Sequence, residues 1–196
     1  MSGSWRPLRG LGGLALLLAL AGCGDGRATR LAPLRSEPAE SLAAPEVAKR
    51  LGELGFFETH RNPRGRGVAH GFRLEAADQV VVDATTGLAW QRGGSPRSLP
   101  FDGALAYVQD LNQSRFAGFA DWRLPTLEEA MSLMEPERSA SGLYLDPRFD
   151  PAVWLVWTAD REGPVGSWVV TYYGGSCLVH VPLGGSSHVR AVRRAG

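Results

Sequence analysis

The feature that most restricts what this chain can fold into is the order in which its apolar spacing changes between residues 79 and 193, from strand to helix and back to strand. Gln79-Val-Val-Val-Asp83 is rich in β-branched residues, Ala84-Thr85-Thr86-Gly87 is a turn with Gly87 free to take positive φ, and Leu88-Ala-Trp90-Gln91-Arg92 returns as the partner strand. Gly93-Gly94-Ser95-Pro96 ends this hairpin. Ala104, Tyr107, Val108 and Leu111 then recur at helical spacing. They predict a helix of about twelve residues from Pro100 or Phe101, capped by Ser98. Phe116 to Phe119 reads as a loop. Thr126-Leu-Glu-Glu129 has the form of a capping box, and Leu127, Ala130, Met131 and Met134 mark a second amphipathic helix behind it. Asp146-Pro147 and Asp150-Pro151 are turn signals. Val153-Trp-Leu-Val-Trp157 is a continuous apolar run, read as a strand covered on both faces. Trp168 to Tyr173 and His188 to Arg193 are further strands, with Gly174-Gly175 and Gly184-Gly185 between them. Hairpin, two helices, long loops and three strands make an α+β domain with a mainly antiparallel sheet and helices to one side.

The N-terminus reads differently. Arg6 and Arg9 precede the apolar run Leu11 to Ala21, and no acidic residue occurs before Asp25. The run is too short to cross a hydrocarbon layer of about 30 Å as a helix, and it fits the apolar region of a secretory leader. It ends in Leu20-Ala21-Gly22-Cys23, which resembles a bacterial lipobox. That resemblance implies cleavage before Cys23, a diacylglyceryl thioether on its sulfur and an acyl group on the new amine. Several chains on one residue hold a soluble domain on a membrane, since each buried CH₂ contributes about 0.8 kcal/mol. Gly24 after the cysteine fits export to the outer membrane in a diderm host. The expected organisation is a leader over residues 1–22, lipidated Cys23 with a flexible linker to residue 45 broken by Pro33, Pro38 and Pro45, and a folded domain over 46–196. Val47, Leu51 and Leu54 open that domain as a short helix, with Pro45 in its first turn and Gly55 as its stop.

Charge and cysteine count exclude other classes. The 196-residue chain carries 21 basic and 20 acidic residues; removing Arg6 and Arg9 with the leader leaves 19 against 20. A domain near −1 has no electrostatic footprint for nucleic acid. Two cysteines cannot frame a chain of this size with disulfides. His60 and His70 flank an Arg/Gly loop but lack a third ligand, and the spacing of Asp146, Asp150 and Asp160 defines no calcium site, so no metal or cofactor is expected.

Four motifs in fixed order carry a family resemblance: Val82-Asp83-x-x-Thr86-Gly87-Leu88-x-Trp90; Asp121-Trp122-Arg123-Leu124-Pro125-Thr126 with Glu128-Glu129; Trp157-Thr158; and Val189-Arg190-Ala191-Val192-Arg193. Over about residues 70–194 the chain resembles the Lcl C-terminal domain family, named for the end of a bacterial collagen-like adhesin. The resemblance implies a C-type-lectin-like fold of two helices, antiparallel sheet and long loops. It also implies an exported protein, and the adhesin that names the family is associated with sulfated polysaccharides. No catalytic residues are established for that family, so none carries over. Where many relatives have Val-Arg-Cys-Val-Arg, this chain has Ala191, so Cys177 has no partner for a family-like disulfide and is expected to be buried.

Physical roles follow for the motif residues. Trp90, Trp122 and Trp157 are expected core anchors, Pro125 sets up the helix capped by Thr126, and Asp121, Arg123, Arg190 and Arg193 are expected to form a carboxylate–guanidinium network. The first functional reading is a lipid-anchored, non-catalytic binding module whose loops near 93–97, 136–151 and 160–166 engage a glycan, a polyanion or an envelope protein through Arg97, Arg138, Arg148 and Arg161. A second is a structural or docking envelope protein with Trp168, Tyr172 and Tyr173 in its exposed face. A third is an enzyme related to the formylglycine-generating oxidases, whose Trp-Arg-Leu-Pro-Thr segment is similar. Their chemistry needs cysteines that this domain lacks, and no Gly-x-Ser-x-Gly elbow accompanies His70, His180 or His188.

Overall fold

The computed structural model describes residues 34–180 and 185–196. The leader, Cys23 and linker residues 24–33 lie outside the described residues, as does Gly184. Helix α1 (Ala44–Leu54) has Pro45 in its first turn and buries Val47 and Leu51. Gly55 closes it at φ +68°, where any other residue would carry backbone strain. Strands β1 (Phe72–Glu75), β2 (Val80–Asp83) and β3 (Leu88–Gln91) form an antiparallel meander. After α2 (Phe101–Gln113), a single 3-10 turn (Phe116–Gly118) and α3 (Leu127–Ser132) come β4 (Leu155–Glu162), β5 (Gly166–Thr171), β6 (Ser176–His180) and β7 (Val192–Arg194). The result is α+β, with two sheets ordered β1-β2-β3-β7 and β4-β5-β6, all pairings antiparallel. One apolar cluster gathers Phe56, Trp90, Met131, Trp168 and Tyr172, and another gathers Trp122, Trp157, Val169 and Val189.

The read hairpin is β2–β3, with Asp83 opposite Leu88 and Gly87 at φ +71°. Several expectations change. Helix α2 is capped by Pro100 and not by Ser98; the proline ring sets the entry angle and no side chain bonds the first turn. Helix α3 is only six residues and buried on every side, Glu128 and Glu129 included, so it is not amphipathic. The strand begun at Val153 starts at Leu155, and Trp154 is 42% exposed. The stretch 188–193 is not one strand because it changes partner. His188 exchanges backbone hydrogen bonds with Leu155 and Trp157, whereas Val192 pairs with Trp90. This segment therefore stitches the two sheets together.

The linker also differs where it is described. From Leu34 onward it is a strap folded onto the domain, with Leu34 and Leu42 buried. Ala39 and Leu42 bond the backbone of Arg161 at 2.8 and 2.7 Å, laying the strap along β4. The Arg35 guanidinium reaches Asp160, whose carboxylate also accepts the Ala39 and Leu127 amides. A Pro-rich composition looks like a linker because its satisfied polar groups lie far away in sequence.

Candidate functional site

The first motif closes around a buried carboxylate. Asp83 accepts from the Gly71, Thr85 and Thr86 amides, from the Thr86 hydroxyl at 2.6 Å, and faces His70 Nδ1 at 2.8 Å. His70 Nε2 faces the Ser132 carbonyl at 2.8 Å, so this imidazole ties the hairpin to the end of α3. Burial alone would raise Asp83, but the bonds from His70, Thr86 and Thr85 prevail and hold it at about 2. A carboxyl depressed below its unfolded value of 3.8 contributes stability that is present above pH 3.8 and lost as pH falls through about 2. Denaturant melts across that window should lose about 2 kcal/mol, and Asp83→Asn should flatten this part of the acid limb.

The second motif builds the start of α3. Thr126 Oγ1 accepts the Glu129 amide and Glu129 accepts the Thr126 amide, which completes the capping box. Arg123 forks onto Glu129 with two contacts of 2.6 Å, and Ser36 of the strap adds a third donor. Leu124 and Pro125 are buried, and the Pro125 carbonyl accepts from Ala159 of β4. Arg193 pairs with Asp121 at 2.7 Å near the surface. The expected network therefore forms from two separate pairs, and Arg190 is not part of it. Arg190 is fully buried and bonds only carbonyls, those of Gln91, Arg92, Asp150 and Val153. The guanidinium thus adds donors to the last carbonyl of β3 and to three loop carbonyls, of which those of Arg92 and Asp150 also accept the Asp150 and Val153 amides. Burial lowers Arg190 to about 10.

Trp122 and Trp157 are buried and donate to the carbonyls of Phe116 and Leu99; Trp90 is buried opposite Val192, beside Leu88 in the same strand. Thr158 bonds the Trp168 carbonyl at 2.9 Å. Cys177 is buried, and burial pushes its thiol up to about 12. Ser187 and Ser95 approach His180 and His188 at 3.4 and 3.5 Å, but no carboxylate bonds either imidazole among the described residues. Nor are three His, Cys, Asp or Glu side chains grouped to hold a metal ion among the described residues. Asp160 is spent on Arg35, and Asp146 on Arg148.

The structure does not bring the loop arginines together. Arg97 borders a cleft that Tyr107 and Asp110 also line, Arg148 pairs with Asp146, and Arg161 stacks over Phe101 while bonding the Pro164 carbonyl. Arg138 has a different setting. Its guanidinium lies 4.5 Å from the Tyr144 ring centroid and 5.5 Å from that of Tyr173, which meets Trp154 edge-on at 6.0 Å. Backbone bonds hold the three segments side by side: Tyr144 donates to Tyr172, and Tyr172 donates to Trp154. Gly175, at φ +65°, lets the Tyr144 ring lie close, since a Cβ there would sit 2.7 Å from it. Trp154 and Tyr173 are 42% and 63% exposed, whereas Trp168 and Tyr172 are fully buried. The expected aromatic face therefore keeps only Tyr173 and gains Trp154, which belongs by its apolar run to a strand covered on both faces.

Fold and site together define an α+β domain whose motif charges hold the fold and whose solvent-facing chemistry includes an aromatic ridge with one guanidinium. The chain belongs to the Lcl C-terminal domain family, whose family model matches residues 79–193. No curated protein and no solved structure matches the chain.

Proposed function

We propose that this is a lipid-anchored envelope protein whose domain binds a glycan or other polyanion without transforming it. The observation that carries the reading is the exposed Trp154–Tyr173 pair with Arg138 packed against it. Exposed rings offer apolar faces to the C–H side of a sugar, and a guanidinium donates two parallel hydrogen bonds to sulfate or carboxylate. Ordered rings also lose little entropy on binding.

The anchor in this reading is Cys23. Leu34 packs on the domain eleven residues after Cys23, so the anchor lies within about 40 Å of it and the domain stays close to the bilayer. Intact mass of the processed chain should show acyl additions on Cys23; an unmodified sulfur would remove the anchor.

The binding half is tested with the full chain in vesicles and heparin as the probe. Binding should weaken steeply with added salt, and Arg138→Ala should lower both affinity and salt dependence. Absence of binding at low ionic strength would overturn it. A docking protein would instead leave heparin unbound and use the same rings against a partner chain.

A further inference from the structure

We propose a second binding site, separate from the ridge, in the cleft between the β1–β2 loop and the turn after α2, and infer that it takes a neutral, hydroxyl-rich ring such as one sugar residue. The cleft has a volume of about 510 Å³, within the range of small-ligand pockets. It is lined by Asp78, Gln79, Arg92, Phe116, Pro147 and Asp150.

Backbone strain is concentrated at its borders. Among the described residues, the non-glycine positions with left-handed φ are Ala76, Ala77, Asp78, Arg115 and Ala117. The first three form the loop that presents Asp78 and Gln79, and the other two flank Phe116. Alanine and arginine are costly in this conformation, where glycine is free. Such residues persist where the surroundings over-determine them, and they gather at binding sites.

The lining chemistry selects the ligand. The Asp78 and Asp150 carboxylates pair with no cation among the described residues; Asp150 takes only the Ala152 amide. Arg92 spends Nε on the Arg148 carbonyl and Nη1 on the Asp78 carbonyl, leaving Nη2 free. Beneath the cleft, Arg190 holds the carbonyls of Arg92 and Asp150 and brings a second positive charge. Two carboxylates and two guanidiniums leave the site near neutrality, which disfavours the anionic polymer assigned to the ridge. Hydroxyl groups can donate to the carboxylates and accept from Arg92 and Gln79. Phe116 is half-buried, braced by Trp122 at 5.6 Å, and supplies an apolar face.

The test is saturation-transfer NMR on the full chain in vesicles, with glucose, galactose and N-acetylglucosamine as probes. At least one should receive saturation, and Asp78→Asn or Gln79→Ala should weaken that binding by about tenfold. Both positions are exposed in a loop, so the fold is retained. Trp154→Ala should leave this signal unchanged while weakening heparin binding, so the two sites fail independently. Absence of transfer from all three sugars, transfer that survives both cleft variants, or its loss in Trp154→Ala would each overturn the proposal.

Discussion

Arg35→Ala should destabilise the domain by about 3 kcal/mol and lower its melting temperature by about 8 °C. Asp160 is fully buried and receives Arg35 Nη1 and Nη2 at 2.7 and 2.6 Å, beside the Ala39 and Leu127 amides. Without the guanidinium, a buried carboxylate keeps two amide donors and no countercharge. The loss is set near the low end for broken buried pairs, because Arg35 itself is partly exposed. Arg35→Lys should restore only part of it, since an ammonium cannot fork onto both carboxylate oxygens. Denaturant melts of the full chain check this; a change below about 0.5 kcal/mol would mean that residues 34–43 merely tether the domain.

The second large effect concerns Arg190→Ala, expected to cost about 4 kcal/mol. The substitution empties the volume of a fully buried side chain and takes a donor from the carbonyls of Gln91, Arg92, Asp150 and Val153, of which Arg92 and Asp150 keep a backbone amide. It also removes the cation stacked 4.8 Å from the Phe149 ring. The charge itself opposes folding: burial lowers Arg190 from its ordinary value to about 10, so the unfolded chain binds more protons above pH 10. Stability from this group should therefore rise as pH climbs above about 10 in the parent, and Arg190→Ala should lack that rise. Equal melting temperatures for parent and variant would show that the loops hold without it.

What the sequence reveals about this fold is mostly local. The β2–β3 hairpin, the Thr126–Glu129 capping box, the core of α2 and the Gly55 stop all depend on neighbours within one turn or hairpin. The strap does not, because Arg35 meets Asp160 across 125 residues of chain. Strand β1 escapes notice because it is only four residues long and most of it is exposed. Arg190 resembles a salt-bridge residue in sequence, since nothing local shows that its partners are loop carbonyls. The ridge is hidden for a related reason. Trp154 continues an apolar run whose other members are buried or half-buried, and only the start of β4 at Leu155 turns its ring outward. Of the arginines singled out by loop position, Arg138 alone stands against that ridge, because loop membership does not specify convergence.

The most direct test of the central claim is co-sedimentation of heparin with vesicles carrying the full chain or its Trp154→Ala/Tyr173→Ala variant. The account predicts at least about a tenfold loss of affinity, as for paired aromatic hot spots, with the melting temperature unchanged because both rings face solvent. Binding that is undiminished in the variant would contradict it.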